Sequence, residues 1–347
     1  MLFHPSVWCS VNDDELDEIE VSALQALKRL LPNEPGILLA VSGGLDSVVL
    51  LEIFSRLQQC HRWTSPIVVA HLNHGLRGDA AKADADLVLE EAARRSFIAE
   101  IRTLEANELH EQSRGSLEES ARQQRYQFLI DTAQKYHLAA VATAHQASDQ
   151  AETILHNLFR GTGITGLRGM PEHRNLAEGV LLVRPLLAWT RDELQHYASM
   201  RSLRYCHDES NQDSRFTRNR IRNEILPLLR QTMNPQIDAA LNRLGAQTGE
   251  LVDCLDSLAD DLLNRSSLEL SSSSCRLQRL ILAAAPAGLL RHMFVRLWIQ
   301  LHWPRQQMTA RHWHQLADAA QSHDASFTLP GAIQLQTDGS LLRLVRR

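Results

Sequence analysis

Apolar and polar positions follow two different rhythms along this chain. From Ile37 to about Pro185, short apolar runs of strand length alternate with longer segments of helical spacing. The expected strands are Ile37–Val41, Pro66–His71, Phe97–Leu104, Ala139–Thr143 and Leu181–Pro185, and the expected helices are Ser47–Gln58, Ala80–Arg95, Leu117–Tyr136, Asp149–Phe159 and Arg191–Met200. Such alternation predicts an α/β fold, a parallel, doubly wound, Rossmann-like sheet with helices on both faces. After Arg222 the rhythm changes. A long amphipathic helix is expected over Gln236–Asn264, a polar linker or loop at Ser271–Ser274, and helices over Ala287–Gln300 and Thr309–Gln321. The tail, from Phe327 to Leu344, reads as a β-hairpin turning at Asp338-Gly339. A length of 347 residues suits two domains. They are expected at 1–223, carrying catalysis, and at 224–347, smaller, mostly helical and ending in the hairpin.

In doubly wound sheets ligands bind beyond the C-terminal strand ends, and three polar clusters fall there. Ser42-Gly43-Gly44-Leu45-Asp46-Ser47 follows the first strand and opens a helix. Two glycines let an anion approach the backbone amides, Ser42 and Ser47 add hydroxyls, and the helix N-terminus adds free N–H groups. This predicts a phosphate cradle, although no GxxxxGKS/T motif is present. Asp46 fits a Mg²⁺ ligand bridging phosphates. The bland alternative is a glycine-rich turn without a ligand. The second cluster, His71-Leu72-Asn73-His74-Gly75-Leu76-Arg77, can meet a purine or ribose through His71 and Asn73 and a phosphate through Arg77. Its two histidines could instead hold a metal, but no third ligand is close in sequence. The third opens another helix. If that helix includes His145, then His145, Asp149 and Glu152 share one face, and the carboxylates can hold Mg²⁺ while His145 contacts phosphate or moves a proton. An acidic first turn serving only the helix dipole is the alternative.

Arg122 and Arg125 lie one turn apart and can neutralise phosphate, or simply pair with Glu118 or Glu119. Arg218, Arg220 and Arg222 form a basic strip suited to an RNA or nucleotide backbone, or a solvated helix start balanced by Asp208, Glu209 and Asp213. The four-glycine segment Gly161–Gly169 is expected to be a flexible, functional loop.

Net charge is −5, which does not advertise a nucleic-acid binder, but charges are segregated: Asp13 to Glu20 holds six acids and Arg215 to Arg222 four arginines. The acidic run is expected on the solvated face of an N-terminal helix. Five scattered cysteines without a CxxC pair suit a reducing cytoplasm and argue against zinc, iron–sulfur or disulfide frameworks. No secretory signal or membrane-spanning run is expected, and localisation is expected to be cytoplasmic.

The SGGLDS loop resembles that of the N-type ATP pyrophosphatases, the PP-loop superfamily. Further segments narrow the resemblance: HLNHGLR from His71, ESARQQRY from Glu119, DQAET from Asp149 with RGTGITGL from Arg160, RNRIR from Arg218, and FTLPGAIQL near the end. Together they resemble the tRNA(Ile)-lysidine synthetases over nearly the whole chain after Ile37. The resemblance implies an ATP-dependent ligase. ATP adenylates C2 of the wobble cytidine of the isoleucine tRNA with a CAU anticodon, giving pyrophosphate. The ε-amine of free L-lysine then displaces AMP, leaving lysidine and switching identity from methionine to isoleucine. It implies Asp46, His145, Asp149, Glu152, Arg122 and Arg125 as catalytic residues. Ser42 to Ser47, His71, Asn73 and Arg77 would bind ATP, Arg218, Arg220 and Arg222 would bind tRNA, and Asp46, Asp149 and Glu152 would bind Mg²⁺. A homodimer is among the assemblies the sequence allows. Many members have Asp at the position of Ser148, and the chain resembles a shorter form without a further C-terminal domain. The rivals are a tRNA thiolase, which usually needs paired cysteines, and a non-catalytic RNA-binding module, which has no need of intact Asp46, Asp149 and Glu152.

Overall fold

The computed structural model describes residues 15–73, 75, 79–104, 117–206 and 217–347. The chain divides into two compact units, one up to Gly245 and the other from Ala246 to Arg347.

The first unit opens with α1 (Glu18–Leu30), then β1 (Ile37–Ala40), α2 (Leu45–Gln59), β2 (Ile67–Asn73), α3 (Asp79–Arg94), β3 (Ile98–Thr103), α4 (Leu117–Lys135), β4 (Ala140–Thr143) and α5 (Ala147–Phe159). A one-turn α6 (Ile164–Leu167), β5 (His173–Ala177), β6 (Val180–Val183) and α7 (Arg191–Met200) follow. The sheet runs β3-β2-β1-β4-β6-β5, parallel except for β5, which pairs antiparallel with β6. β5 was not expected; its polar sequence, HRNLA, hides the strand rhythm at a sheet edge. Ile37 and Leu39 point into a core closed by α1, α2 and α7, whereas Leu38 points into another beneath Phe128 and Leu129 of α4. That period-two division accounts for the two helical layers.

Chain order moves from β1 outward to β2 and β3, then returns to β4 on β1's other side. Diverging connections therefore leave a crevice at the C-terminal ends of β1 and β4, where the loops after both strands meet.

The acidic run is not simply solvated. Glu20 is fully buried, accepts a hydrogen bond from the Tyr197 hydroxyl at 2.7 Å, and pairs with Arg56 and Arg201 at 3.4 and 3.3 Å. A charge in that position is tolerable only because both guanidinium groups and the phenol surround it. Asp13 and Asp14 lie outside the described residues.

Beyond α7, α8 (Thr217–Arg220) runs through a π-type turn at Ile221–Ile225 into α9 (Leu226–Thr232), and α10 spans Ile237–Ser266. Ile221, Leu226 and Leu241 are buried with Ala151, Ile154 and Leu155 of α5. This packing carries the first unit past Asn223 and Glu224, to a division inside α10.

The second unit contains β7 (Ser267–Leu270), β8 (Ser274–Gln278), α11 (Arg279–Ala283), α12 (Ala287–Gln300), α13 (Ala310–Gln321), β9 (Ser326–Leu329), β10 (Ile333–Asp338) and β11 (Leu341–Arg346). Its strands form one antiparallel sheet, β7-β8-β11-β10-β9. Ser271–Ser274 is thus a hairpin turn and the start of β8 rather than a linker, its serines bonded to one another. The terminal hairpin pairs Asp338 with Leu341 as expected, but Pro330-Gly331-Ala332 breaks its first strand into two. No helix among the described residues is long and apolar enough to cross a membrane.

Candidate active site

The Ser42–Ser47 loop is built by its own side chains. Ser47, buried at the start of α2, donates to the Gly44 carbonyl at 2.8 Å and accepts from the Ser42 amide at 3.1 Å. Its hydroxyl also lies 3.1 Å from that of Ser42. Gly44 caps α2, so the following amides face the crevice at the positive end of the helix. Leu45 anchors the turn by burial. Outside the loop, the Cys206 amide donates to the Gly43 carbonyl at 2.9 Å. Burial, and then a hydrogen bond with Asp84, push the Cys206 thiol up to about 11, so it stays protonated.

Gly43 has φ +93°, where side chains other than glycine are strained. A Cβ there would meet the Asp84 carbonyl at 3.5 Å, an ordinary contact, so the constraint is conformational. Gly43→Ala is expected to lower stability by about 1–3 kcal/mol. It should also weaken ATP about tenfold, the worth of one misdirected charge-assisted hydrogen bond. Thermal denaturation and ATP titration of the same preparation check both effects.

Asp46 sits in the first turn of α2, half-buried, and its Oδ1 is enclosed without a hydrogen-bond partner. Burial and the neighbouring Asp149 charge push its carboxyl up to about 6, against the pull of Arg191 and Arg222. Arg191, first residue of α7, carried no motif in the sequence; only the fold brings it here.

His145 does not belong to a helix. α5 starts at Ala147 with Gln146 as its cap, whose side chain accepts from Ser148 N at 2.6 Å. His145 therefore sits on the β4–α5 turn, with Nδ1 2.9 Å from Thr143 Oγ1. Burial pushes its imidazole down to about 3; Asp149 opposes this, and Arg184, Arg125 and Arg218 reinforce it. A neutral imidazole exchanges hydrogen bonds at neutral pH rather than offering charge.

Asp149 Oδ2 accepts from the Gln146 amide at 3.1 Å, and Oδ1 accepts from Arg222 at 2.7 Å. Glu152 is buried and fully engaged: Arg222 Nε donates to Oε1, while Arg218 Nε and Arg222 Nη2 each donate to Oε2 at 3.1 Å. Arg218 and Arg222 thus turn inward onto α5, one helical turn apart, while Arg220 is exposed beside Glu224. Burial alone would lower the Arg222 pKa, but the hydrogen bond and charge of Glu152, then Asp149, raise it.

Among the described residues no three His, Cys, Asp or Glu side chains converge as a preformed metal site. Asp46 and Asp149 nonetheless suit Mg²⁺: both are hard oxygen donors, their charges couple, and Asp46 Oδ1 lacks a partner.

His71 is buried, with Nδ1 2.9 Å from the Val41 carbonyl; burial lowers its pKa despite that contact and Asp84. Its Nε2 has no hydrogen-bond partner. Asn73 accepts from Gly75 N at 2.8 Å, which shapes the exit of β2. His74 and Arg77 lie outside the described residues.

The glycine-rich segment is tied down rather than loose. Gln150 donates to the Arg168 and Met170 carbonyls at 3.2 and 3.0 Å and accepts from Met170 N at 2.6 Å; Asn157 donates to Gly166 O at 2.8 Å. Gly169, at φ +68°, leaves Gln150 its room, since a Cβ would lie 2.4 Å from Gln150 Oε1.

Arg122 and Arg125 are exposed on α4, where they flank Tyr126 with Arg174. Burial would raise the Tyr126 phenol pKa, but Arg122, Arg174 and Arg125 pull it below its ordinary value. Arg174 and Arg184 had no sequence signal, because β5 and the turn after β6 meet α4 only in space.

A strand–loop–helix phosphate cradle at the switch point of a parallel sheet, with two coupled carboxylates beside it, defines a nucleotide-binding domain of the PP-loop class. The family model described as "PP-loop domain" matches residues 16–229. The chain is 37% identical to the tRNA(Ile)-lysidine synthase of Nostoc sp., over 77% of this chain and 78% of that protein. It is 35% identical to that of Synechococcus sp., over 92% and 94%. With the enzyme of Symbiobacterium thermophilum, 41% identical, the match spans 66% of this chain and 46% of that protein. The chain belongs to the tRNA(Ile)-lysidine synthase family and is an ATP-using ligase. Among solved structures, the U34-tRNA thiolase NcsA from Methanococcus maripaludis, with its 4Fe-4S cluster, shares the fold at TM-score 0.54. That match has 17% identity and covers 66% of this chain and 78% of that one.

Proposed function

We propose that the chain joins the ε-amine of free lysine to C2 of the wobble cytidine in an isoleucine tRNA with a CAU anticodon. ATP is consumed to AMP and pyrophosphate through an adenylated cytidine. The observation that supports this best is the meeting, at one crevice, of the Ser42–Ser47 cradle, the Asp46–Asp149 pair and the inward-turned arginines, in a chain of this family. The family relatives' name supplies the substrate class.

The chemistry asks for charge stabilisation more than for covalent help. The C2 oxygen of cytosine leaves poorly until it is adenylated. Its attack at the α-phosphate builds negative charge there and on the departing pyrophosphate. Loop amides, Ser42 and Ser47 would hold the pyrophosphate end, and His71 and Asn73 would face the nucleoside. Asp46 and Asp149 would hold Mg²⁺, whose chemistry is to screen the phosphates. Glu152 acts through Arg218 and Arg222, fixing two guanidinium groups beside the reacting centre. Neutral His145 is suited to hydrogen-bond the α-phosphate or to pass a proton. Arg122 and Arg125 add positive field, Arg220 is assigned to tRNA and Arg77 to ATP. Lysine must attack as the free amine.

The test is mass analysis of the wobble nucleoside after incubation with tRNA transcript, ATP, Mg²⁺ and isotopically labelled lysine. Labelled lysidine, with AMP and pyrophosphate released only when tRNA is present, is the expected result. ATP cleavage without lysine incorporation would overturn the assignment.

A further inference from the structure

Around Tyr126 the fold assembles a group of cations that the triphosphate cradle does not use. The guanidinium carbons of Arg174, Arg122 and Arg125 lie 4.7, 5.4 and 5.9 Å from the centre of its ring. The phenol is hydrogen-bonded with Arg174 and with Arg184. Arg184 is 3% exposed, anchors to the Pro171 carbonyl at 2.6 Å through one terminal nitrogen, and keeps a buried Nε without a partner. No carboxylate pairs with Arg122, Arg174 or Arg184 among the described residues. The four side chains grade from exposed on α4, through half-buried on β5, to buried after β6.

The like charges of Arg122, Arg174 and Arg184 repel one another, and a ring face compensates only in part. An anion that enters the group removes the repulsion. A guanidinium fork matches a phosphate oxygen pair in geometry as well as in charge. Sheet order indicates which phosphate. The ATP loop leaves β1, whereas Arg174 stands on β5, three strands away across β4 and β6, roughly 14 Å at ordinary strand spacing. His145, on the turn after β4, lies between the two and senses Arg184 and Arg125.

We propose that Arg122, Arg125, Arg174 and Arg184 form a phosphodiester clamp for the RNA strand that carries the reacting base, with Tyr126 as the positioning residue that holds them in register. This rests on the function proposed above and extends it to Arg174 and Arg184, which carry no motif of their own. A strand gripped there would lay its neighbouring base toward His145 and the crevice.

The experiment measures affinity for a CAU-anticodon isoleucine tRNA transcript across salt concentrations, beside ATP affinity, on the full chain. Arg174→Ala is expected to weaken tRNA about tenfold and to flatten the log–log salt slope by about one unit, with ATP affinity kept within twofold. Tyr126→Leu should do the same, whereas Tyr126→Phe, which keeps the ring, should retain most of the affinity. The exposed Arg122→Ala provides a variant that does not disturb packing, and it should also lose slope. If wild type binds the transcript but these variants keep its affinity and slope, or lose ATP instead, the clamp is overturned alone. If wild type itself fails to bind the transcript, the functional reading falls and the clamp with it.

Discussion

Asp46→Asn is expected to fold and bind tRNA while losing lysidine formation by about 10²-fold or more, the usual scale for removing one group that stabilises transition-state charge. The amide cannot hold Mg²⁺ as a carboxylate does. The pH dependence gives a second handle. The folded carboxyl is raised to about 6 from 3.8, first by burial and then by Asp149. A raised acid favours the folded state while protonated, and that contribution fades as pH rises through about 6. The stability of wild type relative to Asp46→Asn should therefore fall between pH 4 and 6, the slopes of groups common to both proteins, His145 among them, cancelling in the difference. Activity runs the other way, rising through the same range as the carboxylate forms. Added Mg²⁺ should move that limb to lower pH, because the cation competes with the proton. Thermal denaturation and initial rates from pH 4.5 to 8 test both. Wild-type turnover by the variant at saturating Mg²⁺ would remove Asp46 from the site.

Glu152→Ala is expected to cost about 2–4 kcal/mol of stability and most of the activity. Removing one member of a buried ion pair strands the others. The cost stays below that of a fully enclosed pair because Arg218 and Arg222 keep 31% and 27% of their side-chain exposure and Arg222 retains Asp149. The same change frees both guanidinium groups from their fixed positions. ATP turnover and tRNA affinity should consequently respond together, although Glu152 is proposed to reach neither ligand directly. Glu152→Gln keeps the volume and accepting oxygens and should fall between. Urea denaturation with single-turnover kinetics on both variants is the measurement. An unchanged urea midpoint in Glu152→Ala would show that the arginines do not depend on it.

Some of this site is legible in the sequence alone. The SGGLDS loop reads as a phosphate cradle because strand, glycines, hydroxyls and helix start are contiguous. The three loop clusters converge because alternation implies parallel strands with their ends on one rim. Pairings between distant segments were not legible. Arg218 and Arg222 look like a solvent-facing strip in sequence, yet they turn onto Glu152, a partner 66 and 70 residues earlier. Glu20 looks solvated within its acidic run, and it is buried because Arg56, Tyr197 and Arg201 come from elsewhere to meet it. His145 looks like part of a helix because its spacing to Asp149 and Glu152 fits one; Gln146 caps the helix after it.

The sequence by itself determined the doubly wound first unit, the place of the SGGLDS loop between β1 and α2 and the family, since period, turn chemistry and loop motifs are local properties of the chain. Only the tertiary structure decided the antiparallel β5, the five-stranded sheet of the second unit, the partners of the buried charges and the arginines around Tyr126. The edge strand β5 is polar and the strands β7 and β8 are short, so their periodicity is too weak to read. A charged side chain's role depends on the dielectric and the counter-charge that folding brings to it, and neither is written in its neighbours along the chain.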